Sequence, residues 1–210
     1  MSQAEGPGRF ITLEGGEGVG KSTQLRRLAE ALRARGVDVV ETREPGGSPG
    51  AEAIRKLLLE GEAERWTPEA EALLFAAARA DHVARTIKPA LERGAWVLCD
   101  RFLDSSIAYQ GGAGRVGARA IRMLHEIGSH GLLPDRTLLL ELPAAVAAER
   151  VENRGKTDRM DLKGDPYHDL VVTTFASLAE AEPGRYRRVD ATGRAEDVTE
   201  LLLGALDDLL

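Results

Sequence analysis

Residues 15 to 22, Gly15-Gly16-Glu17-Gly18-Val19-Gly20-Lys21-Ser22, match G-x-x-x-x-G-K-[ST] at every fixed position. This octapeptide restricts the chain to folds in which a strand hands a glycine-rich loop to the start of a helix. Both flanks agree. Arg9-Phe10-Ile11-Thr12-Leu13-Glu14 alternates and is β-branched, and Thr23 to Leu32 carries leucines at helical spacing. Glycines let successive backbone N–H groups turn inward around a polyphosphate, and the following helix aims its positive end at the same point. Lys21 is then placed for the terminal phosphates and the Ser22 hydroxyl for Mg²⁺. The motif implies a nucleoside triphosphate as ligand, held by Gly15, Gly16, Glu17, Gly18, Val19, Gly20, Lys21, Ser22 and Thr23. A ligand-free glycine-rich turn would not require all four fixed positions in this context.

Strand candidates recur at residues 9–14, 37–42, 95–100, 136–142 and 185–190, with helical patterns between them. That alternation predicts an α/β fold with a parallel sheet. The segments 95–100 and 136–142 are apolar nearly throughout, as strands covered on both faces are, and belong inside the sheet. Thr67-Pro68-Glu69 opens one helix and Pro143 another, while Gly36 and Gly94 close two. The tail 195–210 puts Val198, Leu201, Leu202, Ala205, Leu206 and Leu209 on one face of a helix expected to dock on the core.

At 210 residues without a linker-like break, the chain is expected to form one domain. A net charge of −6 with interspersed signs lacks the basic stripe of a nucleic-acid-binding protein, so a small acidic enzyme is the expected class. No signal-peptide pattern opens the chain and no apolar run reaches spanning length, giving the expectation of a cytoplasmic protein without membrane partners. The single cysteine, Cys99, lies in an apolar run and reads as a small core residue. His82, His125, His130 and His168 show no ligand spacing, so metal is expected to arrive with the nucleotide.

The strand Trp96-Val97-Leu98-Cys99 ends in Asp100-Arg101, and open α/β sheets bind ligands beyond the carboxyl ends of their strands. Asp100 suits Mg²⁺, directly or through water, and Arg101 suits phosphate oxygens; alone, the pair is also compatible with a surface turn. Four further segments accompany it: Thr42-Arg43-Glu44-Pro45-Gly46-Gly47, Phe75-Ala76-Ala77-Ala78-Arg79, Asp100 to Gly112, and Arg154-Gly155-Lys156-Thr157-Asp158-Arg159. With the phosphate loop, their order and spacing across residues 10 to 161 resemble the thymidylate kinase family. The resemblance implies a P-loop kinase three-layer sandwich, a five-stranded parallel sheet flanked by helices, acting as a homodimer on ATP with Mg²⁺ and on dTMP, which it converts to dTDP for dTTP synthesis.

Phe75 and Arg79 are four residues apart and share a helical face, where a base can stack on the ring while the guanidinium donates to a carbonyl. The resemblance makes that base thymine. Ser106, Tyr109 and Gln110 follow i, i+3, i+4 spacing and offer a hydroxyl, a phenol and an amide. By resemblance, Ser106 and Gln110 lie near the thymine and Tyr109 under the deoxyribose, while Arg43, Arg55 and Arg101 hold the acceptor phosphate. Arg55 is also readable as a solvated helix position, and Phe75 as an ordinary core aromatic. Glu17 stands where some members carry a basic residue. That resembles the bacterial-type arrangement, which implies a mobile lid near 150–161 supplying the missing charge through Arg154 and Arg159, with Arg150 readable either as a participant or as a solvated helix residue. Glu17 then resembles the acid that faces the acceptor's 3'-hydroxyl, a structural role being the alternative. Phe102 stands where tyrosine or histidine is often found, and Ser22 where threonine is.

The resemblance implies Lys21, Arg101, Arg154 and Arg159 as the catalytic set. A GTPase-type switch is disfavoured because no Asn-Lys-x-Asp occurs. A kinase for another deoxynucleotide or a nucleoside and a catalytically silent nucleotide-binding module are the rival readings.

Overall fold

The computed structural model describes residues 7–155 and 158–210, with Arg154 described only through its backbone. Five strands form one parallel sheet: β1 (Phe10–Glu14), β2 (Val39–Arg43), β3 (Trp96–Asp100), β4 (Arg136–Glu141) and β5 (Tyr186–Asp190), in the order β2-β3-β1-β4-β5. All five lie where the sequence pattern puts them. β3 and β4 flank the central β1, so the two apolar runs do occupy interior positions.

Every residue of β1 is buried, Thr12 and Glu14 included, so its alternation separates two faces of a core rather than core from solvent. Ile11 and Leu13 face the side on which α1 (Lys21–Ala34) and α9 (Ala195–Gly204) pack, through Leu25, Leu28, Leu32, Val198 and Leu202. Phe10 faces the opposite side with Val97, Cys99 and Leu139, beneath Phe102, Ile107 and Phe175. Thr12 shares this second face and meets Thr137 Oγ1 at 3.1 Å. Asp104 continues the buried polar seam, accepting from Arg185 at 2.6 and 3.0 Å and from Thr137 at 3.2 Å. Pairing is what lets a carboxylate 1% exposed sit there.

Helix starts follow local chemistry. α2 (Pro49–Leu59) is capped by Ser48 and α3 (Pro68–His82) by Thr67, each with proline in the first turn. A π-helical stretch, Val83–Ile87, continues α3 into α4 (Lys88–Glu92). After β3 come α5 (Leu103–Ser106), a second π-helical stretch Ile107–Ala113, and α6 (Ala118–Ser129). α7 (Ala144–Arg154) precedes α8 (Asp165–Ala181). The C-terminal helix docks as expected, with one change of face: Leu201 is exposed and Leu203 is buried. Among the described residues no helix is long and apolar enough to cross a membrane.

Candidate active site

The phosphate loop leaves β1 at Gly15 and ends at Gly20, the N-cap of α1, with φ of 138° and 93° at these two glycines. Those dihedrals are costly for any side chain with a Cβ. Gly18, with φ of 73°, is required for a second reason as well, since a Cβ there would collide with the Ala147 carbonyl of α7. The loop therefore touches the helix that leads into segment 150–161.

Lys21 is 6% exposed and donates from Nζ to the carbonyls of Gly15 (3.1 Å) and Gly16 (2.6 Å). Burial, reinforced by the Arg101 charge, lowers its pKa to about 8. Ser22 Oγ, on the solvent side, donates to Asp100 Oδ2 at 2.6 Å. Two hard oxygen donors thus meet at the loop, a set that fits Mg²⁺ brought with a triphosphate. Among the described residues no group of three or more His, Cys, Asp or Glu could hold a metal ion without a ligand's help.

Arg101 has φ of 69° at the end of β3. That turn sends its guanidinium to the Gly15 carbonyl and Ser105 Oγ, both 3.1 Å, and to Glu17 Oε1 at 2.6 Å. Burial opposes its charge, but Glu17, Tyr109 and Asp100 outweigh that and raise its pKa. Glu17 also accepts from the Tyr109 hydroxyl at 2.9 Å, while the Arg101 guanidinium lies 4.9 Å from the Tyr109 ring centroid. Glu17, Arg101 and Tyr109 form one cluster at the loop.

On the other side of the same cavity, Arg43 pairs with Glu52 at 3.0 Å and Arg55 donates to the Pro45 carbonyl at 2.5 Å. Burial, and after it the neighbouring Arg43 charge, push Arg55 below its usual range. Arg79 is buried and clamped: Nε donates to Glu44 at 2.7 Å, and Nη2 to Ser106 Oγ at 2.7 Å and the Phe102 carbonyl at 3.1 Å. Among the described residues only Nη1 of this guanidinium has no protein partner, and Arg79 lines the cavity together with half-buried Phe75. Glu44 also meets His82 Nδ1 at 3.0 Å; Arg79 lowers its pKa against the opposing effect of burial.

Ser106, Tyr109 and Gln110 all reach the cavity wall, but not as one α-helical face. Ser106 closes α5 and the other two belong to the π-helical stretch, whose wider turn sends the side chains to three different partners. Ser106 meets Arg79, Tyr109 meets Glu17, and Gln110 Nε2 donates to Glu71 Oε1 at 3.0 Å.

Arg159 does not stand where the lid reading expects it. It is fully buried, donating to the Leu58 carbonyl (2.7 Å), the Ala63 carbonyl (2.9 Å) and the Glu71 carboxylate. Its guanidinium is consumed in joining the ends of α2 and α3, which corrects its assignment as a free phosphate-facing charge. The Arg154 side chain, together with Lys156 and Thr157, lies outside the described residues; Arg150 is exposed and lines the cavity mouth. Phe102 packs edge-on against Phe10 (4.8 Å) and His125 (5.5 Å) beneath the Arg79 guanidinium, so its ring is held by aromatic edges and a cation without a polar tip.

Four polar residues escape the sequence reading. Glu71 precedes Phe75 by four and Arg79 by eight, and His82 follows Arg79 by three, so helical spacing held the signal for both. Glu44 sits inside a segment singled out for other reasons. Glu14, the last residue of β1, accepts from the Phe102 N–H (2.7 Å) and Ser105 Oγ (2.5 Å), and burial next to Asp104 raises its pKa strongly. A carboxylate ending a strand gives no hint of its burial from sequence alone.

One cavity of about 470 Å³ is lined by Glu17, Gly18 and Gly20 to Thr23 of the phosphate loop region and by Arg43, Arg55, Phe75, Arg79, Arg101, Ser106, Tyr109 and Gln110, while Glu14, Glu71, His82 and Arg159 are not part of its lining. A smaller concavity of about 260 Å³ adjoins the loop, between Thr23, Gln24, Arg150, Ala191 and Gly193.

The family model "Thymidylate kinase" matches residues 13–202. A thymidylate kinase of Rhizorhabdus wittichii is 65% identical over 206 residues, 97% of this chain and 99% of the relative. One from Caulobacter vibrioides is 52% identical over 192 residues, covering 91% and 92% of the two chains. The crystal structure of thymidylate kinase from Ehrlichia chaffeensis superposes with a TM-score of 0.77 at 32% identity, covering 96% of this chain and all of that one.

Proposed function

The chain belongs to the thymidylate kinase family and phosphorylates dTMP to dTDP with ATP; from that premise we propose how its own residues divide the work. The carrying observation is the cavity of about 470 Å³ whose lining includes both Lys21 and Ser22 of the phosphate loop and Phe75 and Arg79 of α3.

In this reading Phe75 stacks on thymine, Arg79 Nη1 donates to an exocyclic oxygen, and Ser106 and Gln110 close the base site. Tyr109 lies under the deoxyribose and Glu17 near its 3'-hydroxyl. Arg43, Arg55 and Arg101 take the acceptor phosphate. The phosphate loop, residues 15–23, holds the ATP phosphates, and the concavity at Thr23, Arg150 and Gly193 takes the adenine. Ser22 and Asp100 would hold the Mg²⁺ carried with ATP, which would supply charge neutralisation there.

No protein base is needed, because a phosphate monoester with a second pKa of about 6 already presents an anionic nucleophile at pH 7. What remains is alignment of two anions and charge dispersal. Lys21 and Arg101 are suited to that through position and charge. Arg154, at the end of α7, belongs to the part of segment 150–161 that precedes the anchored Arg159, a lid which we propose closes over the phosphates and excludes water. Homodimer formation in the cytoplasm is part of the same proposal. The packed pair α3 and α6 leaves Leu73, Met123 and Ile127 exposed, an apolar surface for a second copy.

A coupled ADP-release assay tests the division of labour. Lys21→Ala and Arg101→Ala should each lower kcat by at least about 10²-fold, the scale of a lost transition-state charge contact, with the fold unchanged. A variant with wild-type kcat removes that residue from the mechanism.

A further inference from the structure

The buried Glu71–Arg159 pair lies behind the cavity wall, and neither the lid nor the phosphates use it. Glu71 is 3% exposed and receives hydrogen bonds on both oxygens: Oε1 from Gln110 Nε2, and Oε2 from Arg159. A carboxylate only accepts, so the end of the Gln110 amide that faces Glu71 must be the NH₂ end. The amide is planar and its other end is the carbonyl. Gln110 is itself 2% exposed and lines the cavity with Phe75 and Arg79. One N–H of the NH₂ group remains, but the carbonyl is the one acceptor that the amide can present to a base.

We propose that Glu71, held in place by Arg159, is a specificity-determining positioning residue. It fixes the orientation of the Gln110 amide so that a carbonyl acceptor faces the base, favouring a pyrimidine whose ring nitrogen carries a proton. Thymine presents a ring N–H there, whereas cytosine presents a lone pair that the carbonyl repels. Arg159 keeps Glu71 from turning away, because its remaining donors are fixed to the Leu58 carbonyl in α2 and the Ala63 carbonyl in the turn that follows it. The proposal rests on the reading that Gln110 faces the base.

The test compares KM for dTMP with the competitive inhibition constant of dCMP. In Glu71→Gln an amide replaces the carboxylate, so Gln110 is free to reverse and show its NH₂ end to the base. The ratio of dCMP inhibition constant to dTMP KM should fall about tenfold or more, the scale of one mispaired buried hydrogen bond. kcat at saturating dTMP should stay within about twofold, since the phosphate end is untouched.

Because Glu71→Gln leaves Arg159 without a counter-charge, the double variant Glu71→Gln/Arg159→Met removes the pair together and should show the same loss of discrimination. Arg159→Lys, which keeps the charge beside Glu71, should retain more of the ratio than the double variant. Gln110→Leu separates the two levels. If it leaves dTMP KM unchanged, Gln110 is not at the base and the underlying reading falls. If it raises KM while both Glu71 variants keep the wild-type ratio, the orienting role alone is overturned. It is equally overturned if both Glu71 variants fail to fold, which would make the pair a structural clasp, or if a weakened variant loses dTMP and dCMP affinity in equal measure.

Discussion

Lys21 should take up a proton when nucleotide binds, and the size of that uptake is set by its surroundings. In the empty loop the ammonium is 6% exposed and sits near the Arg101 guanidinium, which together lower its pKa to about 8. A triphosphate cradled by the loop would reverse this, restoring a pKa above the ordinary value of about 10.4. At pH 8 about half of the free sites carry neutral lysine, so binding should draw in about 0.5 proton per site. The figure is about 0.1 at pH 7 and about 0.9 at pH 9. Isothermal titration calorimetry with a non-hydrolysable ATP analogue, run in buffers of different ionisation enthalpy, reads the uptake as the slope of observed heat against buffer heat. Lys21→Met should abolish the pH-dependent part. Stability of the free protein carries the same signature: the unfolded chain binds the additional proton between pH 8 and the ordinary lysine pKa, so this group makes stability rise with pH across that window. An uptake below about 0.1 at both pH 8 and pH 9 would refute the reasoning, showing that Glu17 and Asp100 keep Lys21 charged in the empty site.

Phe75→Ala should weaken dTMP binding by about 1–3 kcal/mol, the usual worth of a base stacked on an aromatic ring. ATP binding should hardly change, and a calorimetric loss of ATP affinity would place the ring elsewhere. Arg154→Ala should cut kcat by about 10³-fold, as for an arginine that acts on developing phosphoryl charge, with dTMP affinity in the absence of ATP unaltered; nearly full kcat would assign the charge to Lys21 and Arg101 alone. Glu14, whose carboxyl is pushed up by burial and Asp104, binds a proton more readily folded than unfolded. Stability from this group is therefore present below its ordinary pKa of 4.5 and falls as pH rises above it. Glu14→Gln should flatten that part of the pH–stability curve measured by urea unfolding, and an unchanged slope would mean that Asp104 or another carboxyl carries it.

Local chemistry alone determined much of this protein. The phosphate loop is legible because its function needs backbone N–H groups and glycine dihedrals, which sequence neighbours supply among themselves. The five strands and the capped starts of α2 and α3 are equally local, arising from apolar runs and side chains that bond to backbone three residues away. Phe75 and Arg79 were readable as one face because four residues of α-helix is a fixed geometry. Ser106, Tyr109 and Gln110 were readable only as cavity residues, since the π-helical stretch replaced the assumed spacing with another. Arg159 marks the limit most clearly. In sequence it is a charged residue in a polar, glycine-broken run, the composition of a solvated lid. In the fold its guanidinium meets two carbonyls and a carboxylate from residues 58, 63 and 71, roughly ninety to a hundred positions away, and is fully buried. Whether a charge faces solvent or is buried depends on the partners that cancel its desolvation cost. Those partners were assembled by the packing of α2 against α3, which no window of sequence around Arg159 contains.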